Sequence, residues 1–261
     1  MRILFIKLLA VLLAAPVGAA QPPAVEILAG VEKAESFGSL YGEMKQIITT
    51  TSGGQRTLVL RSWALASNEK QLAEYLHPAD IKGQRILMTD FGDNIWMFNP
   101  ETRRTRKLGS HMRKRKVMGS DFTYEDQATG RMNERYHAKV LRSEKEDGLD
   151  CWVLELIPKP GGPSYGKIVT WIRQSDFVLI RSDYYREKED AKPFKRLTNR
   201  DVRKVLEAGA GKAAVERYMP FEMTMTNLED GTNTRNIITK IQLGTQMPES
   251  LFEARNLEKA R

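Results

Sequence analysis

Arg85-Ile-Leu-Met-Thr-Asp-Phe-Gly-Asp-Asn-Ile-Trp-Met-Phe-Asn99, followed by Pro100, is the stretch whose reading decides the fold. Two apolar runs, 86–88 and 95–98, flank Gly92-Asp93-Asn94. That pattern predicts a β-hairpin with a short polar turn. A strongly basic segment, 103–116, comes next, and then Gly119-Ser-Asp-Phe-Thr-Tyr-Glu-Asp126. No catalytic set adjoins the hairpin. A greasy hairpin beside a charged loop reads as part of a sheet that holds a molecule, not one that transforms it.

The same patterning extends in both directions. Upstream, Leu40, Met44 and Ile48 share one face of a strand, Ser52-Gly53-Gly54 turns the chain, and 57–65 runs back. A third strand, 72–78, ends at Pro78, which has no N–H to donate to a sheet. Downstream, 105–108 adds a strand beyond Pro100. The sheet resumes at 134–141, 151–157, 167–173 and 177–185, with Trp152, Leu154 and Leu156 on one face. Phe221, Met223 and Met225 then alternate with polar residues, as do Ile237, Thr239, Ile241 and Leu243, around a Glu229-Asp-Gly231 turn. Residues 194–205 stay open: Val202, Val205 and Leu206 suit a helix, whereas 194–205 also suits a charged edge strand. Ala24, Ile27, Leu28, Val31 and Ala34 fall at helical spacing, and a second helix is expected near 120–127. The expected class is α+β, mainly antiparallel β, with about ten or eleven strands in one sheet. So long a sheet must curl, and helices laid in its concavity give a half-barrel over a hydrophobic cavity. With no internal repeat and no linker, residues 21–261 read as a single domain.

The N-terminus carries a different signal. Met1-Arg2 to Lys7 is cationic, 8–15 is uncharged and apolar, and Gly18-Ala19-Ala20 supplies small residues. This describes a secretory signal peptide over residues 1–20, too short to span a membrane. The destination is a soluble extracytoplasmic space, the periplasm. Cys151 is the only cysteine, so no intramolecular disulfide forms, and in a strand-like run it reads as a buried thiol. Loss of Arg2 and Lys7 lowers the formal charge from +8 to +6. The excess is concentrated: Arg103, Arg104, Arg106, Lys107, Arg113, Lys114, Arg115 and Lys116 lie within fourteen residues with no acid between them. In an exported protein such a run suits anionic head groups or an acidic partner better than nucleic acid, or it is a solvated loop.

Catalytic and metal chemistry find little support. Gly162-Pro-Ser-Tyr-Gly166 matches a nucleophile-elbow pattern, but it sits in a turn before a strand, and none of His77, His111 and His137 follows Ser164. The histidines are at least 26 residues apart, without a metal-ligand pair. No enzyme activity, cofactor or metal is expected. The strands are instead rich in aromatic and methionine side chains. Trp63, Trp96, Phe98, Trp152, Phe221, Met223 and Met225 are the candidate lining of an apolar ligand cavity, because methionine adapts to varied shapes. On the 95–98 strand, Trp96 and Phe98 are expected to face that cavity.

Read together, Pro78-Ala-Asp-Ile-Lys-Gly83, Leu87 with Asn94-Ile-Trp-Met-Phe-Asn-Pro-Glu101, Gly119 to Asp126, Tyr165-Gly-Lys-Ile-Val-Thr-Trp171, Pro220-Phe-Glu-Met223 and Pro248-Glu-Ser-Leu-Phe252 resemble the outer-membrane lipoprotein-sorting (LolA-like) family. The likeness runs nearly the length of residues 21–261 and is nearest to the larger branch found beside resistance-nodulation-division exporters. It implies a half-open barrel closed by helices, receiving acyl chains of lipids or lipoproteins and passing them from an inner-membrane extractor towards an outer-membrane acceptor. The family's lid-closing arginine has no secure counterpart here. An alternative role is a non-carrier accessory or sensor docked on such an exporter.

Overall fold

The computed structural model describes residues 21–128, 130–209 and 212–259. The proposed signal peptide lies outside the described residues.

Thirteen strands form one curled, unclosed sheet. They are β1 (Ser39–Thr49), β2 (Gln55–Leu65), β3 (Lys70–His77), β4 (Arg85–Thr89), β5 (Asn94–Asn99), β6 (Arg104–Lys107), β7 (Tyr136–Glu146), β8 (Leu149–Pro158), β9 (Lys167–Arg173), β10 (Leu179–Tyr185), β11 (Lys195–Gly209), β12 (Lys212–Asn227) and β13 (Thr232–Leu243). Their order is β6-β5-β4-β3-β2-β1-β13-β12-β11-β10-β9-β8-β7. Every pairing between these neighbours is antiparallel. Two meanders, β1–β6 and β7–β13, are thus joined by the pairing of the first strand with the last, for example Leu40 opposite Leu243. From Lys195 onward the stretch left open at 194–205 is strand, not helix, and it is an inner strand paired with both β10 and β12, not an edge. Its charges are accommodated across the β11–β12 hairpin, where Lys204 meets Glu216 and Arg217 meets Glu207. The strand expected at 105–108 is present as β6, and the total of thirteen exceeds the ten or eleven expected.

The hairpin at 85–99 is present, with Leu87 opposite Trp96 and Met88 opposite Ile95. Its turn is longer than expected. Asp90, Phe91 and Gly92 all have positive φ, and Asn94 Nδ2 donates to Asp90 Oδ2 at 2.5 Å.

Helix α1 (Ala24–Ala34) buries Ile27, Leu28 and Val31 against Leu154, Leu156, Ile168 and Ile172 on the concave face. Glu26 in its first turn and Lys33 in its last complement the helix dipole. Gly30 weakens the helix by about 0.5–1 kcal/mol relative to alanine. A methyl group there would collide with the Phe177 ring, so the glycine is what lets the helix approach the β9–β10 connection. The expected second helix shrinks to one turn, α2 (Tyr124–Gln127), capped by Thr123 and Asp126 in a reciprocal capping box. Another short turn, α3 (Met132–Arg135), leads into β7.

The two faces of the sheet bury different sets, as alternation along a strand requires. On the concave side of β1–β5, Ile48, Leu58, Leu60, Tyr75, Ile86, Met88 and Ile95 pack with Val117 and Tyr124. On the opposite side Leu72, Leu87 and Phe98, with Trp63 and Trp96, pack under Leu251, Phe252 and Leu257 of the C-terminal segment. Arg85, almost buried, holds that segment by donating to the carbonyls of Leu257 (2.6 Å) and Lys259 (2.8 Å). Trp96 and Phe98 therefore face away from the concavity, a correction to the expectation above. Alternation defines two faces, but here the C-terminal segment decides which of them is the outer one.

Candidate functional site

The concavity is not filled. Residues 117–127 run across it as a plug, inserting Val117 and Tyr124 on one side and Phe122 on the other. Three adjoining cavities remain around it. The first, about 320 Å³, lies between the plug and β1–β4, β12 and β13, lined by Met44, Leu60, Tyr75, Met88 and Ile238. The second, about 270 Å³, is walled by Tyr136, Leu156, Ile168, Leu197 and Pro220. The third, about 210 Å³, is walled by Phe37, Phe177, Val178 and Leu243. Met223 lines all three. The side chains of Phe122 and Asp126 border the first and second, and Glu35 and Asn199 border the second and third.

Polar bonds tie the plug to the wall. Asp121 accepts from Thr232 Oγ1 (2.7 Å), Thr234 Oγ1 (2.9 Å) and Lys116 Nζ (3.0 Å). Asp126 Oδ2 lies 2.6 Å from Lys195 Nζ, and both side chains are nearly inaccessible. Tyr165 donates to Asp126 Oδ1 and accepts from Lys195 Nζ, each at 2.6 Å. Burial, reinforced by the Asp126 charge, pushes the Tyr165 hydroxyl pKa well above its ordinary value. Glu125 accepts from both the backbone N–H (3.1 Å) and the hydroxyl (2.7 Å) of Ser164. That serine is thus a plug anchor, with no histidine partner among the described residues.

The sequence-derived candidates separate. Met223 lies at the cavity junction, and Trp63 borders the first cavity as well as the outer cluster. Met225 is fully buried in the core beside Phe122. Trp152 packs on Phe177 with ring centroids 5.4 Å apart and lines none of the three cavities. Phe221 lies under the Arg203 guanidinium at 4.4 Å and is likewise outside them. Leu60, Tyr75, Met88, Phe122 and Glu35 were not singled out. The plug that gives the cavities their walls joins residues far apart in the chain, and no local pattern marks such a contact. Cys151 is buried, which pushes its thiol pKa up.

The basic run is heterogeneous. Arg113 is held by Asp93 (2.7 Å) and the Gly92 carbonyl (2.9 Å), Lys116 by Asp121, and Lys107 lies 5.3 Å over the Trp96 ring. Arg103, Arg104, Arg106, Lys114 and Arg115 are exposed and form no ion pair among the described residues. Lys114 and Lys116 border a polar basin that meets the second cavity at Glu125 and Tyr165. Among the described residues no cluster of ligating side chains suited to a metal occurs, and no helix is long and apolar enough to cross a membrane.

A family model described as "Uncharacterized protein" matches residues 67–259. No curated protein matches the chain. Among solved structures, a candidate outer membrane lipoprotein-sorting protein domain from Vibrio parahaemolyticus is similar at 25% identity and TM-score 0.78, covering 90% of this chain and 98% of that one. A DUF1329 family protein from Desulfovibrio piger is similar at 20% identity and TM-score 0.77, over 89% and 96% of the two chains. A LolA superfamily protein from Nitrosomonas europaea follows at 20% and 0.70, over 89% and 98%. The chain belongs to the family of the matching model, and it shares the fold of the outer-membrane lipoprotein-sorting, LolA-like proteins.

Proposed function

We propose that this protein is a periplasmic carrier. Residues 21–261 act as one domain, delivered by the cleaved 1–20 segment, that shields acyl chains of lipids or lipoproteins on their way towards the outer membrane. The observation that carries this reading is the run of three apolar cavities meeting at Met223 on the concave face. Pockets of a few hundred Å³ lined by apolar groups with sparse polar ones suit small amphiphiles. At ~0.8 kcal/mol per buried CH₂, a sixteen-carbon chain gains roughly 12 kcal/mol on leaving water. Release then needs a partner that displaces the plug or competes for the chain. The unpaired cations Arg103, Arg104, Arg106, Lys114 and Arg115 are the surface for anionic head groups or for that partner, an extractor, an outer-membrane acceptor or an exporter of the resistance-nodulation-division type.

Native mass spectrometry of protein extracted gently from membranes tests this. Co-purified lipid or acylated peptide, lost when Met223 is replaced by tryptophan, is the expected result. A stoichiometric complex with an inner-membrane protein and no lipid would instead establish the accessory role. Ester turnover dependent on Ser164 would overturn both.

A further inference from the structure

Half of the exposed large apolar side chains among the described residues sit on one element. Leu206 (57% exposed), Val215 (45%) and Tyr218 (42%) belong to the far half of the β11–β12 hairpin. The others, Val25, Leu141 and Leu228, stand on three different parts of the fold, and apolar residues scattered singly need no explanation. Ala208, Ala213 and Ala214, beside the clustered three, are exposed as well.

That half of the hairpin is a two-stranded ribbon. β11 pairs with β10 only as far as Thr198, and β12 pairs with β13 only from Glu222. Between these limits the two strands pair with each other, with one bridge from Glu207 to Leu243. The near part is tied down. Val205 and Met219 pack with Phe37 and Leu243, Glu207 accepts from the Gly38 N–H at 2.7 Å, and Arg217 donates to the Lys33 carbonyl at 3.2 Å. Further out the register sets Leu206 opposite Glu216 and Val215 opposite Glu207. Successive pairs of a ladder face opposite ways, so Leu206 and Tyr218 emerge on one face and Val215 on the other. A protein laid on one face would cover one set only. Both are covered together when the end of the ribbon enters a medium that surrounds it, as a lipid interface does.

Composition points the same way. Hairpin connections are ordinarily polar, yet between Glu207 and Glu216 the sequence is Ala-Gly-Ala-Gly-Lys-Ala-Ala-Val, with a single charge, in a chain of which 28% is charged. Residues 200–220 carry five basic and three acidic side chains, an excess that suits an anionic lipid surface. Tyr218 stands further back, and a ring with a polar tip is at home at head-group level. Apart from the Glu207 bridge the outer edges of the ribbon are unpaired among the described residues. Unpaired N–H and C=O groups do not enter hydrocarbon, which limits the depth to the head-group boundary.

We infer that the end of the β11–β12 hairpin dips into the interface of a lipid bilayer and sets the third cavity against the membrane. Arg217, Tyr218, Met219 and Pro220 of the same ribbon line that cavity. This rests on the carrier reading and adds the surface by which the carrier meets the bilayer. It is distinct from the basic run, because apolar insertion persists at salt concentrations that screen surface charge.

The test attaches an environment-sensitive fluorophore to Ala213→Cys in the full chain without residues 1–20, where the buried Cys151 stays unlabelled. The probe is vesicles of palmitoyl-oleoyl phosphatidylethanolamine and phosphatidylglycerol, in about 0.5 M salt. Emission should shift to the blue, and quenchers placed near the head of the acyl chain should act more strongly than quenchers near its end. Leu206→Ser with Val215→Ser should weaken vesicle binding about tenfold with the melting temperature unchanged. That variant should load lipid from vesicles about tenfold more slowly while still accepting lipid presented in detergent. No shift at Ala213→Cys, or vesicle binding untouched by the double substitution, overturns the inference, and lipid loading intact in the same protein leaves the carrier reading standing. A shift produced by raising the protein concentration without vesicles would make a second copy the occupant and also overturn it. Failure of the wild type to take lipid from either source overturns the carrier reading and the inference with it.

Discussion

Lys195 on β11 and Asp126 in the plug form an ion pair of 2.6 Å with almost no access to water, and the Tyr165 hydroxyl bridges the two. This pair joins the element crossing the concavity to the wall behind it. Because both charges are desolvated, each depends on the other. Removing one strands its partner, which costs about 3–5 kcal/mol.

Lys195→Met should therefore lower the unfolding free energy by about 3–5 kcal/mol in urea titration. Lys195→Met with Asp126→Leu should recover much of that loss. If the single variant is as stable as wild type, the pair is not what holds the plug. Hydrogen exchange across 117–127 should accelerate in the single variant before any change in β1–β4.

Met223 and Met225 lie two residues apart on β12 but should respond differently. Met225 is fully buried, so Met225→Ala should destabilise the fold by about 2–5 kcal/mol. Met223 borders open volume in all three cavities, so Met223→Trp should fill the junction, leave the melting temperature within a few degrees and reduce lipid loading at least tenfold. Equal melting losses in both would remove Met223 from the cavity.

Glu35 makes a pH prediction. A carboxyl whose folded value is raised binds its proton more tightly in the folded state, so it costs stability when ionised. The cost is absent below its ordinary value of 4.5, grows as pH rises towards about 7, and is full above that. Glu35→Gln should raise the melting temperature at pH 8 and make no difference at pH 4. A variant equally stable at both values would show that the carboxyl is ordinarily hydrated.

Charge reversal separates the cations of the basic run. Arg103, Arg104 and Arg106, changed together to glutamate, should weaken binding to phosphatidylglycerol vesicles, with the effect fading above 0.5 M salt and the melting temperature unchanged. Arg113→Glu should instead destabilise the hairpin turn, since it loses Asp93 and the Gly92 carbonyl. Unaltered vesicle binding in the triple variant would exclude the run from membrane contact.

Much of the architecture was legible in the residues. The spacing of Ile27, Leu28 and Val31 marks α1, and the runs either side of Gly92 mark the hairpin. Which face of β5 lines the concavity was not legible. Ile95 and Met97 are as apolar as Trp96 and Phe98, and the decision is made by Leu251, Phe252 and Leu257 some 150 residues later. The plug's attachment was equally hidden, because Asp126 and Lys195 stand 69 positions apart, one in a stretch expected to be helix and the other in a stretch open between helix and charged edge strand. Glu35 lies in a Glu-Lys-Ala-Glu run typical of a solvated helix end, and nothing in that run marks it as bordering two cavities.

The pairing of β1 with β13 also bears on how the chain reaches this state. Leu40 waits for Leu243, about two hundred residues later, so neither meander can cover that seam by itself. Contacts of such separation are slow to form. Until they do, both halves present a bare strand edge of the kind that recruits other chains. The chain would thus be most exposed to misassociation at a backbone edge and not at its cavities, during the interval before its last strand docks on its first.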